Sequence, residues 1–255
     1  MDIKMIAVDL DGTLLCDDKT ISARTVETLM KCRSHGIRII YATARGKSAF
    51  ALVPPDILDG DVQMNGAVAY ANDICVYKRD IQTVSVRDML LAADEAGIQI
   101  AVERADWTYA NFTFPDEWEL IFRENYEVTD FKTLDINAEK IWAMPTSEAQ
   151  IDLLKAHLPK GLYLVTTRDD SFTMIMHEEA RKANAVLALA KHWGISPEQI
   201  VAFGDDVNDL DMLEKCGTGV AMGNAVDEVK AVADYVCDTN ENDGIAKWIE
   251  EHVLG

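Results

Sequence analysis

The sequence predicts an α/β protein: a core with a parallel sheet and helices on both faces, interrupted by an inserted α+β segment. Three observations predict it. Apolar runs without alternation occur near both ends of the chain, in "MIAV" and in "QIVAF", and each leads into an aspartate. That is the pattern of parallel strands buried on both faces. Apolar residues at helical spacing follow these runs. Between the two ends the pattern changes to alternation, with Ile98, Ile100 and Val102 on one face of "IQIAVE" and Phe172, Met174 and Met176 on one face of "FTMIMH". Strands with one wet face indicate an open antiparallel sheet covered by helices on its other face. The expected division is 1–82 together with 180–255 for the core, and 83–179 for the insert.

The elements follow in order. The first strand runs from about Lys4 to Asp9. Ser22 can cap a helix with Val26, Leu29 and Met30 on one face and Gly36 as its stop. "IRIIYATAR" is a second strand, "VPP" breaks the next short helix, and "NGAVAYANDICVYKRD" reads as a hairpin turning at Asn72-Asp73. The insert reads helix, strand, strand, helix. "ANAVLALAKHWGI" is a helix with Val186, Leu189, Ala190 and Trp193 on one face. "QIVAFGDD" is a strand ending in acid, "GTGVAMG" and "ADYVC" are short strands, and Ile245, Trp248, Ile249 and Val253 mark a terminal amphipathic helix.

Composition narrows the function. The 255 residues carry a formal charge of −20, which argues against nucleic acid or an anionic membrane surface as a partner. The five cysteines are widely spaced with no C-x-x-C, as expected of reduced thiols. The N-terminus does not read as a signal peptide, and no uncharged apolar stretch reaches the ~18 residues of a membrane span. A soluble, cytoplasmic protein is expected.

Chemistry concentrates where strands end. Asp9 and Asp11 follow the first strand two residues apart, so both carboxylates can point to one spot beyond the strand's carboxyl end, where open α/β sheets bind ligands. Gly12 lets the chain turn sharply beside them. The later strand ends in Asp205, Asp206, Asn208 and Asp209. Singly such acids are helix caps. Together they form a cluster that repels itself and needs a cation or protons, and oxygen donors suit Mg²⁺. Thr43 ends the second strand with a hydroxyl, and Lys182 opens a helix. A hydroxyl, a lysine and a metal are what a transferring phosphoryl group needs.

"DLDGT", Thr43 at a strand end, Lys182 and "GDDVND", in that order, resemble the four motifs of the haloacid-dehalogenase-like superfamily. The long insert, "NGAV" (Asn65 to Val68) and "AMGNA" (Ala221 to Ala225) resemble its Cof-like phosphatase branch. The resemblance implies a Rossmann-like core with an α+β cap, and a Mg²⁺-dependent phosphatase acting on a small phosphorylated metabolite, a sugar phosphate or a cofactor phosphate. Asp9 resembles the nucleophile, ionised, and Asp11 the general acid, holding a proton. Asp9, the backbone carbonyl of Asp11 and Asp205 match the metal ligands. Thr43 and Lys182 match the phosphate grip, Gly12 and Thr13 support the turn, and Asn208 and Asp209 orient groups around the metal and Lys182. A phosphomutase of the same superfamily is the alternative activity, and a phospho-accepting receiver domain a more distant one.

The chain departs from the pattern at Ala44 and Ala183, where the family commonly has glycine. Arg181, beside Lys182, is an alternative phosphate contact. Ala44 and Arg45 are substrate-binding candidates. Asp206 reads as a helix N-terminal acid stabilised by the dipole. His177 reads as solvated or structural. Trp107, Tyr109, Phe112 and Trp118 read either as a pocket lining or as core.

Overall fold

The structure of the 255-residue chain is a computed structural model, which describes residues 2–105, 107–116, 125–166 and 172–255. The chain divides into two compact units, Met1–Lys78 with Ala180–Gly255, and Arg79–Glu179. The second unit begins four residues before the boundary expected from sequence. Ile81–Gln82 pairs with Asn137–Ala138, which ties that stretch to the insert.

The first part of unit 1 contains β1 (Met5–Val8), α1 (Ala23–Ser34), β2 (Arg38–Ala42), β3 (Gly60–Gln63), β4 (Val68–Ala71) and β5 (Ile74–Lys78). Ser22 caps α1 by accepting from the Thr25 N–H. Leu29 and Cys32 are buried from this helix, whereas Met30 is 50% exposed. Met30 therefore lies off the face the spacing assigned to it. The hairpin β4–β5 turns at Asn72, in the left-handed region at φ 53°. Sequence reasoning missed β3, because "GDVQ" places Asp61 and Gln63 inside the sheet.

Unit 2 contains β6 (Ile81–Gln82), α2 (Arg87–Glu95), β7 (Gln99–Arg104), β8 (Trp107–Ala110), β9 (Tyr126–Val128), β10 (Asn137–Ala138), β11 (Lys140–Met144), α3 (Glu148–Ala156), β12 (Leu162–Thr166) and β13 (Thr173–His177). Its six-stranded sheet has the order β12-β13-β11-β7-β8-β9, antiparallel except at β8–β9. One face buries Ile100, Val102, Ile141 and Ile175 with Met89, Leu90 and Leu154 of α2 and α3. The other face carries a stack of rings, Phe114 on Tyr126 at 4.3 Å and Trp142 on Phe172 at 5.5 Å. Of the aromatic candidates, Tyr109 packs on the helix-covered core, Phe112 packs against Trp142, and Trp107 is 43% exposed. Trp118 lies outside the described residues. His177 accepts the Glu179 N–H at 3.1 Å, a structural contact.

The chain returns to unit 1 with α4 (Lys182–His192), β14 (Ile200–Gly204), α5 (Leu210–Lys215), β15 (Thr218–Ala221), α6 (Asp227–Val232), β16 (Tyr235–Val236) and α7 (Gly244–His252). The eight-stranded sheet has the order β16-β15-β14-β1-β2-β3-β4-β5, parallel from β16 to β3. Register puts Val8, Phe203 and Tyr41 side by side on one face, where Phe203 meets Trp248 of α7 edge-on at 5.5 Å. Arg24 of α1 pairs with Glu250 of α7 at 2.6 Å on the same layer. Gly60 and Gly219 lie on the opposite face, against Trp193 after α4 and Leu213 of α5. Helices thus cover both faces. The chain runs from β1 outward through β2 and β3 on one side, and from β14 outward through β15 on the other. The strand order reverses between β1 and β14, which places a ligand crevice beyond their carboxyl ends.

Candidate active site

Asp9, Thr43 and Asp205 each follow the last residue of a parallel strand, β1, β2 and β14 respectively. Adjacent parallel strands bring these three ends together at the reversal point. Asp9 is 6% exposed, and its N–H continues the pairing by donating to the Phe203 carbonyl at 3.0 Å. The chain then folds tightly, with Leu14 N–H donating to Asp9 O at 3.1 Å. Gly12 makes this turn at φ 80°, and a Cβ there would overlap the Asp205 carboxylate. Thr13 donates its hydroxyl to Asp205 Oδ1 at 2.8 Å, which joins the loop after β1 to the loop after β14.

Lys182 stands at the start of α4, 1% exposed, and donates at 2.6 Å to both Asp9 Oδ1 and Asp209 Oδ1. Asp209 is fully buried, and its other oxygen accepts the N–H groups of Asp205 and Asp206 at 3.0 and 3.2 Å. It therefore orients Lys182 and fixes the loop carrying Asp205. Oxygens of Asp9, Asp205 and Asp209 lie within 4.8 Å of one another. Three carboxylates, two buried and Asp205 half-buried, face one ammonium, so negative charge is in excess when they are ionised. Burial raises the Asp9 pKa against the Lys182 attraction, and Asp209 and Asp205 raise it further. Burial likewise pushes Asp205 up to about 6, against its Thr13 hydrogen bond, with Asp209 adding to the rise. Burial alone would lower the Lys182 pKa, but Asp209 and Asp9 outweigh it and keep the ammonium protonated. An all-oxygen set with excess negative charge fits a hard divalent cation.

Asp11 does not share this spot. Its carboxylate accepts a fork from Arg45, Nε to Oδ2 at 2.6 Å and Nη2 to Oδ1 at 2.8 Å, and a third bond from Lys19 at 2.8 Å. Burial would raise its pKa, but these cations lower it to about 2. Arg45 and Lys19 thus favour the ionised form of Asp11, whose carboxylate turns toward these two cations rather than toward the other acids.

Thr43 is 1% exposed, and its hydroxyl accepts the Arg45 N–H at 3.1 Å. Ala44 is half-buried between them, and neither Ala44 nor Ala183 has a positive φ, so alanine fits where glycine was expected. It is Lys182 rather than Arg181 that enters the acidic cluster. Asp206 accepts the Val207 N–H at 2.8 Å and caps the short turn Val207–Asp209, as its position suggested. Asn208 donates to Asn65 Oδ1 at 3.1 Å.

Four residues here escaped sequence reasoning. Lys19 gave no signal. Asp211 lies near the start of α4, where Arg181 supplies no side-chain cap, and burial raises its pKa against the opposing pull of Lys215, Arg181 and Lys182. Asn224 donates to the Gly12 carbonyl at 2.7 Å, and Asn65 contacts both Thr43 and Asn208. The last two lie in the "AMGNA" and "NGAV" stretches, whose spacing alone assigned no role.

Comparison with known proteins agrees with this geometry. Residues 6–249 match the family described as haloacid dehalogenase-like hydrolase. The chain is 30% identical over 258 residues to the Bacillus subtilis 5-amino-6-(5-phospho-D-ribitylamino)uracil phosphatase YcsE, spanning 100% of this chain and 97% of that protein. It is also 30% identical over 290 residues to the Escherichia coli pyridoxal phosphate phosphatase YbhA, spanning 100% of both. Among solved structures it resembles BT1666 of Bacteroides thetaiotaomicron, a phosphatase of the same superfamily, with a TM-score of 0.84 and 28% identity over 98% of this chain and 94% of that one. With its acidic strand ends, Lys182 and an inserted α+β unit, the chain belongs to the haloacid dehalogenase-like hydrolases, in their Cof-like phosphatase branch.

Proposed function

We propose that the chain is a Mg²⁺-dependent phosphatase hydrolysing a small phosphorylated metabolite, a sugar phosphate or a cofactor phosphate, through an aspartyl-phosphate on Asp9. The observation that carries this reading is the buried Asp9–Lys182–Asp209 triad beside Asp205 at the strand-order reversal. The Asp9 carboxylate attacks phosphorus in line, forming an O–P bond as the bond to the leaving alkoxide breaks. Asp11 gives its proton to that alkoxide, and in the second half takes a proton from the water that attacks phosphorus and frees Asp9. In the free protein Arg45 and Lys19 favour the carboxylate form of Asp11. A bound phosphate dianion competes with it for Arg45 and Lys19, and so lets it take up a proton. Thr43 and Lys182 hold the phosphoryl oxygens, with Ala44 and Arg45 beside them, and Asn208 and Asp209 orient the groups around them. Asp9, Asp205 and the backbone carbonyl of Asp11 would hold Mg²⁺, which neutralises charge on the phosphoryl oxygens.

The inserted unit, with the expected core–insert boundary near residue 83, is assigned to substrate selection. Two relatives at 30% identity are named for phosphates of a ribitylaminouracil and of pyridoxal, which supports a cofactor-type phosphomonoester. All five cysteines are free thiols, and no helix among the described residues is long and apolar enough to cross a membrane; both support a cytoplasmic setting. The test is phosphate release from a panel of sugar and cofactor phosphates with Mg²⁺. Turnover by wild type and none by a folded Asp9→Asn variant is expected. Full activity in that variant removes Asp9 as nucleophile.

A further inference from the structure

The turn after β3 is built unlike an ordinary hairpin entry. Met64, Asn65 and Gly66 have φ of 49°, 53° and 92°, three successive residues in the left-handed region. A non-glycine residue there is strained, asparagine less than most, and holds only when its surroundings fix it. Asn65 is 3% exposed.

The surroundings are parts of the site that come from three loops. Met64 N–H donates to Arg45 O and Asn65 N–H to Thr43 O, both at 2.9 Å. Asn65 Oδ1 accepts from Asn208 Nδ2 at 3.1 Å. A Cβ on Gly66 would overlap the Arg181 carbonyl and crowd the Lys182 backbone nitrogen. Thr43, Lys182 and Asn208 all lie beyond the regular pairing of the sheet, and this one turn touches the loop of each.

We propose that Asn65 is a positioning residue for phosphoryl transfer, its N–H holding the Thr43 loop while its Oδ1 holds Asn208. The inference rests on the phosphatase reading above and adds a residue to it. A side chain needed only to make the turn would be replaceable by glycine, which adopts φ > 0 without strain. A side chain that orients Asn208 is not replaceable by glycine. Asn65→Gly thus separates the two roles.

The test uses the full chain with Mg²⁺ and p-nitrophenyl phosphate, comparing wild type, Asn65→Gly, Asn208→Ala and the double variant. Asn65→Gly is expected to lower kcat about tenfold, the scale of a lost orienting partner. KM should stay within about twofold, because the lost interaction acts in the transition state. The thermal midpoint should fall by no more than about 4 °C. The double variant should be no slower than Asn208→Ala, because Asn65 acts through Asn208. Wild-type kcat in Asn65→Gly overturns the proposal, as does a double-variant loss equal to the product of the single losses. An Asn65→Gly chain unfolded at the assay temperature also overturns it, since the side chain then serves the fold. An inactive wild type overturns the phosphatase reading and this inference with it, whereas an active wild type with a silent Asn65→Gly overturns this inference alone.

Discussion

Arg45 grips Asp11 with a two-pronged fork at 2.6 and 2.8 Å, 34 residues apart in the chain. With Lys19 it overcomes burial and holds the carboxyl at about 2, below its ordinary 3.8. The unfolded chain therefore binds this proton more readily, so the group stabilises the fold above about pH 4, and that contribution fades as pH falls toward about 2. Asp11→Asn is expected to be less stable than wild type at pH 6 in urea unfolding, with the gap closing between pH 4 and pH 2. Its kcat on p-nitrophenyl phosphate should fall about 10³-fold, as for loss of a general acid.

Lys182 is fully buried between two carboxylates. Removing one partner of a buried ion pair costs about 3–5 kcal/mol, because the remaining charge is left uncompensated. In EDTA, Lys182→Met should lose about that much stability. Added Mg²⁺ should restore part of it, since a cation then supplies the missing charge. An equal loss with and without Mg²⁺ would count against the acidic cluster as a cation site.

Metal binding should register as stability independently of turnover. A ligand at a hundred times its Kd adds about 2.7 kcal/mol to the folded state. Mg²⁺ should raise the thermal midpoint of wild type, EDTA should reverse the rise, and Asp205→Asn should abolish it. The same chelation should stop phosphate release reversibly.

Asp61 is a carboxylate inside the sheet, bonded to Gln63 Nε2 at 2.5 Å, and register sets it beside Tyr41, whose hydroxyl has no hydrogen-bond partner among the described residues. Burial pushes Asp61 up to about 6, against the Gln63 bond. Between about pH 4 and pH 6 the folded chain keeps a proton that the unfolded chain has lost, so this group makes stability fall as pH rises through that window. Asp61→Asn should therefore stabilise the protein by about 2 kcal/mol at pH 7 and by almost nothing at pH 4. Chemical unfolding at the two pH values reads the difference.

Much of this architecture was legible in the sequence, and the exceptions have physical reasons. Strands β1, β2 and β14 are buried on both faces and so carry continuous apolar runs. β3 escaped because Asp61 and Gln63 satisfy each other inside the sheet, which erases its apolar pattern. Met30 sits at helical spacing, four residues after Val26, yet is half exposed, because spacing defines a stripe but not which edge of it the sheet covers.

By itself the sequence determined what is local: the strands and helices whose apolar pattern is intact, that acids end two of the strands, and that a glycine turn follows the first. Those features depend on residues a few positions apart. Only the tertiary structure decided which acid meets which cation. Lys182 reaches Asp9 across 173 positions and Thr13 reaches Asp205 across 192. Asp11, two residues from Asp9, turns instead to Arg45 and Lys19. Partners at such separations are fixed by strand order and register, which place the ends of β1, β2 and β14 side by side. Sequence spacing carries no record of that adjacency.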